Sequence, residues 1–364
     1  MKIIPIGEPQ IIMSNPESHH NYFAWPTVAR LQNGKIAVTA SGFRLRHICP
    51  FGKAVISFSE DEGQTYTPPA PVIDTVLDDR DCGIVPFGES SVVVTSFNNT
   101  IRFQCNYAKS AYDTAYLDSV SPEQEASAIG ATFRISHDCG VTFGPIMKSP
   151  VTSPHGPVPL PDGSLLWVGR TFSPENAIMP GVDCIKAYRL YPDGTMEFAG
   201  QIENVQIDDR QLLSCEPHAI VLEDGTILVH IRVHSFGEGD RIFTLFQSQS
   251  HDWGKTWTAP KQILPDSGGA PAHLYRHSSG VLLCTYGHRG TPFRVPPFGI
   301  KVMFSNDNGK TWDTDHRIYT AEASLDLGYP STVELSDGSL LTVFYGIPVS
   351  GAPAVIMQQR WRFV

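Results

Sequence analysis

Arginine, histidine and carboxylate residues recur in this chain at the outer ends of short, paired apolar runs. Trp25 with Arg44, Asp81 with Asn98, His155 with Arg170, Glu216 with Arg232, His273 with Arg289 and Tyr329 with Tyr345 bracket six such runs. Four of the six pairs end on Arg, although the chain carries 27 basic against 37 acidic residues and a net charge of −10. Arginines gathered in one cleft of an acidic protein focus positive potential on an anionic ligand, and guanidinium groups meet carboxylates through paired N–H donors. Asp81, Glu216, Asp326 and the Tyr329 phenol are the members of this set that could move protons or attack an electrophile. Arg80, in DDRDCG beside Asp81, joins the arginines. His155 and His218 each follow a proline at equivalent positions and suit hydrogen bonding to a polar ligand or simple structural use. Ligand-like spacing such as HxxxH is missing between them, so no metal and no other cofactor is expected.

Hairpins must position these ends. PTVARLQNGKIAVTA, GIVPFGESSVVVTSF, PHGPVPLPDGSLLWVGR, EPHAIVLEDGTILVHIR, PAHLYRHSSGVLLCTYGHR and YPSTVELSDGSLLTVFYG each read as strand, tight turn, strand. Asn33-Gly34, Asp162-Gly163, Asp224-Gly225 and Asp337-Gly338 are strong turn signals, with Gly88-Glu89 and Ser279-Gly280 weaker. If all six turns lie on one rim, the open ends surround a central funnel on the opposite face. Six hairpins predict six blades of four antiparallel strands. After the sixth hairpin only AVIMQQRWRFV remains, enough for a third strand, so KIIPIGEPQII at the N-terminus is expected to complete the last blade and close the ring.

A second repeat runs out of phase with the hairpins. SEDEGQTY, SHDCGVTF, SHDWGKTW and SNDNGKTW, at 59, 136, 250 and 305, share Ser-x-Asp-x-Gly-x-Thr-aromatic, and YPDGTMEF at 191 keeps part of it. Asp and Ser oxygens accept turn N–H groups, Gly supplies positive φ, and the aromatic packs back between sheets. These aspartates are read as structural, not catalytic.

The eight-residue repeat resembles the Asp box, or BNR repeat, of the sialidase superfamily, and six hairpins are similar to its six-bladed β-propeller. The resemblance covers nearly the whole chain and implies an all-β fold. In SCEPHAIVLEDGTILVHIR it implies that Glu216 matches the family's Glu and Arg232 one member of its arginine triad. In GYPSTVELSDG it places Tyr329 at the nucleophilic tyrosine, which the Glu polarises for attack on an anomeric carbon. The chain departs from the pattern at Ala24-Trp25-Pro26, where the family has Arg-Ile-Pro, and at RLRHICPFGK, where an acid/base Asp is expected and no carboxylate stands. Either Arg44, Arg46 and Arg80 rebuild the anion clamp and Asp81 or Asp326 replaces the acid, or the sugar is a different one. The substrate-binding set is then Arg44, Arg80, His155, Arg170, His218, Arg232 and Arg289.

Wider features bound the reading. The acidic balance argues against nucleic acid or an anionic membrane as main partner. No apolar run has signal-peptide or membrane-span length, so a soluble, cytoplasmic protein is expected. Seven cysteines without a CxxC suggest reduced thiols. The 364 residues are read as one propeller domain, 1–364, with an insertion at about 99–129 and a Pro- and Gly-rich loop at 287–299. Each of those segments could serve as a lid or as a contact in a homo-oligomer. The expected function is an exo-acting glycoside hydrolase on a terminal acidic sugar, sialic acid-like or uronate-bearing, of a glycan or oligosaccharide. The alternatives are a lyase or other hydrolase using His and Tyr, and a non-catalytic glycan-binding propeller.

Overall fold

A computed structural model of the chain describes residues 1–172, 185–207, 210–235, 242–265, 269–290 and 294–364. Cys184 and the centre of the 287–299 loop lie outside the described residues.

Six antiparallel sheets follow one another around an axis. Blade 1 comprises Tyr22–Arg30, Ile36–Arg44, Lys53–Ser59 and Ala70–Ile73. Blade 2 comprises Arg80–Phe87, Ser91–Phe97, Ala131–Ser136 and Met147–Ser149. In blade 3 the inner strand is split into Val151–Thr152 and Val158–Pro159, both paired with Leu165–Thr171, and Ile185–Leu190 and Met196–Ile202 follow. Blade 4 comprises Leu213–Val221, Ile227–His234, Phe243–Ser250 and Lys261–Gln262, and blade 5 comprises Gly269–Arg276, Leu282–His288, Phe298–Ser305 and Asp313–Ala321. Blade 6 comprises Gly328–Glu334, Leu340–Gly346 and Val355–Phe363, and its outermost strand is Ile3–Met13, antiparallel to Val355–Phe363. The N-terminus therefore closes the ring, as the strand count predicts.

The hairpin turns form for local reasons. In Asp162-Gly163, Asp224-Gly225 and Asp337-Gly338 the aspartate Oδ1 accepts the N–H two residues on, at 3.1, 2.9 and 3.0 Å, and each Gly has a φ above 70° that a Cβ would oppose. Hydrophobic burial is divided in the same way. Six buried clusters each join two neighbouring blades; Met13, Trp25, Val38, Val343 and Ile356, for example, belong to the one between blades 1 and 6. The propeller is thus a ring of six sandwich interfaces, as expected when twisted sheets pack face to face.

The boxes bind those interfaces together. In each of the four full copies the Asp Oδ1 accepts the Thr N–H, its Oδ2 accepts the Thr hydroxyl, and the Ser Oγ accepts the Gly N–H. These hydrogen bonds hold Asp61, Asp138, Asp252 and Asp307 down to about 2. Each box glycine abuts the preceding blade: Gly309 faces Leu228, Gly254 faces Leu166, Gly140 faces Phe58, and Gly63 faces Leu341.

The insertion in blade 2 forms three short helices, Ile101–Cys105, Ala111–Ser119 and Pro122–Ala128. The last starts on Ser121 as capping residue with Pro122 in the first turn, as its sequence predicts. Phe51 of blade 1's loop stacks on Tyr112 and Tyr116, tying the insertion to the mouth of the propeller. Cys49, Cys82, Cys105, Cys139, Cys215 and Cys284 are free thiols. No helix among the described residues is long and apolar enough to cross a membrane.

Candidate active site

At the mouth of the innermost strand, pairing slips in five blades: in blade 5 Gly269↔His288 is followed by Ala272↔Tyr286, and blades 1, 2, 4 and 6 slip in the same way. Ala24↔Ser41 is followed by Thr27↔Thr39, Arg80↔Phe97 by Gly83↔Thr95, Cys215↔Arg232 by His218↔His230, and Gly328↔Tyr345 by Ser331↔Val343. Two residues there oppose one, which is a β-bulge. The first residue of the bulge in blades 1, 2, 4 and 6 is Trp25, Asp81, Glu216 or Tyr329, with φ of 55°, 47°, 49° and 50°. Left-handed backbone costs a non-glycine residue about 1–3 kcal/mol, and such strain clusters at functional sites. All four side chains line one cavity of about 280 Å³. That is just below the roughly 300–1,000 Å³ usual for ligand pockets, a size for one small ligand.

At its centre, Tyr329 Oη donates to Glu216 Oε1 at 2.7 Å, while Arg232 Nη1 donates to Glu216 Oε2 at 2.5 Å and lies 3.4 Å from Tyr329 Oη. Burial opposes ionisation of Glu216, but the Arg232 charge and the bonds from Tyr329 and Arg232 outweigh it and hold the carboxyl below its ordinary range. Burial, then the charges of Glu216 and Asp81, push the Tyr329 phenol well above its usual range, so it rests as a neutral donor. Asp81 behaves oppositely to Glu216. Burial pushes it up to about 7 against the pull of Arg80, and the Glu216 charge adds to the rise.

The arginines are not equivalent. Arg80, Arg170, Arg232 and Arg289 line the cavity. Arg80 lies with its guanidinium 4.0 Å from the Trp25 ring centre and donates to the His47 carbonyl at 2.8 Å. Arg289 donates to the Leu327 carbonyl at 3.1 Å and lies 3.4 Å from Tyr345 Oη. Arg44, expected in the clamp, is placed elsewhere: it is fully buried, paired with Asp78 at 2.6 Å, and stands over Trp25. Arg46 is paired with Asp113 of the insertion. Trp25 thus carries Arg80, from the next blade, on its ring.

Three other expectations also change. His155 and His218 are not brought to the cavity. With His273 they pack around the propeller axis, ring centres 4.5 to 5.5 Å apart and all nearly buried. His218 Nδ1 accepts the Leu274 N–H and His155 Nδ1 meets Thr27 Oγ1, and the three rings line a separate cavity of about 290 Å³ among the inner strands. Asp326 sits behind the cavity wall, where it accepts from Tyr22 Oη at 2.8 Å and Tyr345 Oη at 2.9 Å and pairs with His47 at 3.1 Å. Burial opposes its ionisation, but these partners hold it down to about 2, so it has no proton to donate at neutral pH. Sequence reasoning missed His47, Phe97, Asn99, Phe103 and His234, all of which line the cavity. His47 stands in RLRHICPFGK, where Arg44 and Arg46 and a missing carboxylate draw the reading. Asn99 and Phe103 belong to the insertion, which therefore forms part of the wall.

The chain matches the family described as the BNR repeat-like domain over residues 119–342. No curated protein matches it. Among solved structures, a Dyadobacter fermentans protein of unknown function superposes with a TM-score of 0.75 at 19% identity, covering 100% of this chain and 99% of that one. A sialidase of Streptococcus pneumoniae superposes with a TM-score of 0.67 at 12% identity, covering 99% and 71%. An α-L-arabinanase of Penicillium chrysogenum, solved with arabinobiose, gives 0.63 at 14% identity, covering 99% and 98%. At these identities the likeness is one of fold.

Proposed function

The chain belongs to the family of BNR repeat-like domains, and from that premise we propose that it is an exo-acting glycoside hydrolase releasing a terminal acidic sugar, sialic acid-like or uronate-bearing. The observation that carries the reading is the Tyr329–Glu216–Arg232 cluster in a small cavity shared with Asp81. Asp81 and Glu216 are the two carboxyls in its wall among the described residues. Arg80, Arg170, Arg232 and Arg289 line the wall, Arg232 paired with Glu216 and Arg80 with Asp78, and guanidinium groups gathered there favour an anionic sugar. The solved sialidase and arabinanase supply carbohydrate as the substrate class by analogy of fold.

In the proposed reaction the Tyr329 oxygen attacks the anomeric carbon while its proton passes to Glu216, and Asp81 protonates the departing oxygen. A phenol beside a carboxylate suits a glycosyl cation next to a substrate carboxylate, because it adds no second fixed negative charge. Arg80, Arg170, Arg232 and Arg289 orient the sugar's anionic group. The test is a panel of aryl glycosides of sialic acid, uronic acids and neutral sugars. Turnover confined to acidic members, lost in Glu216→Gln and Tyr329→Phe, is the expected result. Turnover of neutral sugars alone, or binding without turnover, would replace this reading with a neutral glycosidase or a glycan-binding propeller.

A further inference from the structure

We propose that His47, oriented by Asp326, is the base that activates water in the second half of the reaction, an assignment that rests on the glycosidase reading above. His47 lies in the loop joining the second and third strands of blade 1. Its ring lines the cavity with 47% of the side chain exposed. The Trp25 ring meets it edge-on at 5.0 Å and limits its rotation.

Hydrogen-bond accounting fixes its tautomer. His47 Nδ1 is 3.1 Å from Asp326 Oδ1 and 3.1 Å from Tyr22 Oη. The Tyr22 hydroxyl donates its one hydrogen to Asp326 Oδ2, and Tyr345 donates to Oδ1. An ionised Asp326 only accepts, so the hydrogen between Asp326 and His47 belongs to Nδ1. Nε2 then carries the lone pair and has no protein partner among the described residues. A carboxylate that orients an imidazole in this way also stabilises the imidazolium formed when the ring takes a proton. The charged and titratable groups around the ring are Asp326, Tyr22, Arg80 and Arg44, with Tyr345 reaching it through Asp326. Partial burial and the two arginines lower its proton affinity against the pull of Asp326, so it is neutral at pH 7, as a base must be.

Arg80, the chain neighbour of Asp81, donates to the His47 carbonyl, so the loop that carries the base is tied to the strand that carries the acid, and both residues line the one cavity. In a double displacement the water enters from the face by which the leaving group departed. The water O–H bond breaks, its proton goes to Nε2, and its oxygen bonds to the anomeric carbon. The bond from that carbon to the Tyr329 oxygen breaks with its electron pair, and the phenolate recovers the proton held by Glu216. His47 then loses its proton to solvent, and Asp81 regains one from solvent. One water is consumed.

Two measurements test the assignment. Nitrogen-15 NMR of the imidazole rings at pH 7 should show His47 as the Nδ1–H tautomer in the wild type and lose that preference in Asp326→Asn. A wild-type Nε2–H tautomer would overturn the proposal. With an acidic aryl glycoside bearing a good leaving group, His47→Gln should release a burst of one aryl alcohol per active site. Its steady rate should then be lower by at least about 100-fold, the scale of base catalysis, and azide, which needs no base, should restore it. Asp326→Asn should show the same burst with a smaller loss, as befits a positioning residue. An unchanged steady rate in His47→Gln, or a loss with neither burst nor azide rescue, sinks the base while leaving the glycosidase intact. A wild type inert towards every acidic glycoside removes the underlying reading, and this assignment with it.

Discussion

Asp81 and Glu216 share one cavity, yet their surroundings move their proton affinities apart. Asp81 is short of donors and is pushed up to about 7, whereas Glu216 is bound by Tyr329 and Arg232 and is held low. Such separation assigns acid and base roles in many enzymes. A proton donor must be protonated, so kcat/KM for a glycoside with a poor leaving group should fall as pH rises through about 7. In Asp81→Asn that limb should vanish, with little loss on activated aryl glycosides, whose leaving groups depart unaided. The stability consequence has the same sign: a carboxyl raised from 3.8 disfavours the folded state as pH climbs from about 4 to 7, and a pH–Tm series on the same variant would show a flatter slope there. In the proposed reaction Glu216 and Tyr329, hydrogen-bonded to each other, act as a unit, so Glu216→Gln, Tyr329→Phe and the double variant should leave similar residual rates. Additive losses would separate them. Arg289→Lys keeps the charge but loses the planar fork, and acidic-ligand binding should weaken by roughly 1.5–3 kcal/mol, measurable by calorimetry.

At the level of elements, what could be read in the sequence was what is built locally. Hairpin turns and Asp boxes declare themselves because their side chains bond their own backbone within four residues. The bulges do not. Trp25, Asp81, Glu216 and Tyr329 share a left-handed backbone but no chemistry, and the slip that creates it is defined by the partner strand. Counting strand ends therefore found these four, but also took in Arg44, turned inward to Asp78, and His155 and His218, which fall on the axis. Lining residues outside the strands, such as His47 in a loop and Phe103 in the insertion's first helix, had no strand to index them. The boxes give a direct test of their role as ties between blades. A Cβ on Gly254 would lie 2.9 Å from Leu166 Cδ2 with φ at 89°, so Gly254→Ala should cost about 1–3 kcal/mol from strain and overpacking. Thermal unfolding would show the loss, while kcat per folded molecule should stay unchanged because the box is remote from the cavity.

The whole molecule explains why a site drawn from all six blades can exist at all, since only a closed ring holds those strands around one funnel. Closure falls on blade 6, where Ile3 pairs with Phe363 and Gln10 with Gln358. Gln358 also donates to the Gly63 carbonyl and accepts from Tyr66 Oη, both in the box of blade 1, so the same side chain links the N-terminal strand to the next blade. Deleting residues 1–12 would strip that strand and leave Val355–Phe363 as an exposed edge, open to pairing with other chains. Six paired positions are lost. At about 0.5–1.5 kcal/mol for each net hydrogen bond, the loss is at least several kcal/mol, and with roughly 2–4 °C per kcal/mol for a chain of this size or a little smaller, Tm should fall by about 10 °C or more. Because Tyr22, Trp25 and Tyr329 belong to the cluster between blades 1 and 6, activity should collapse with the melting temperature and not after it. A truncated chain that melts as the full one does would show that the ring is held shut by the blade interfaces alone, and that the N-terminal strand is ornament to the sheet rather than its clasp.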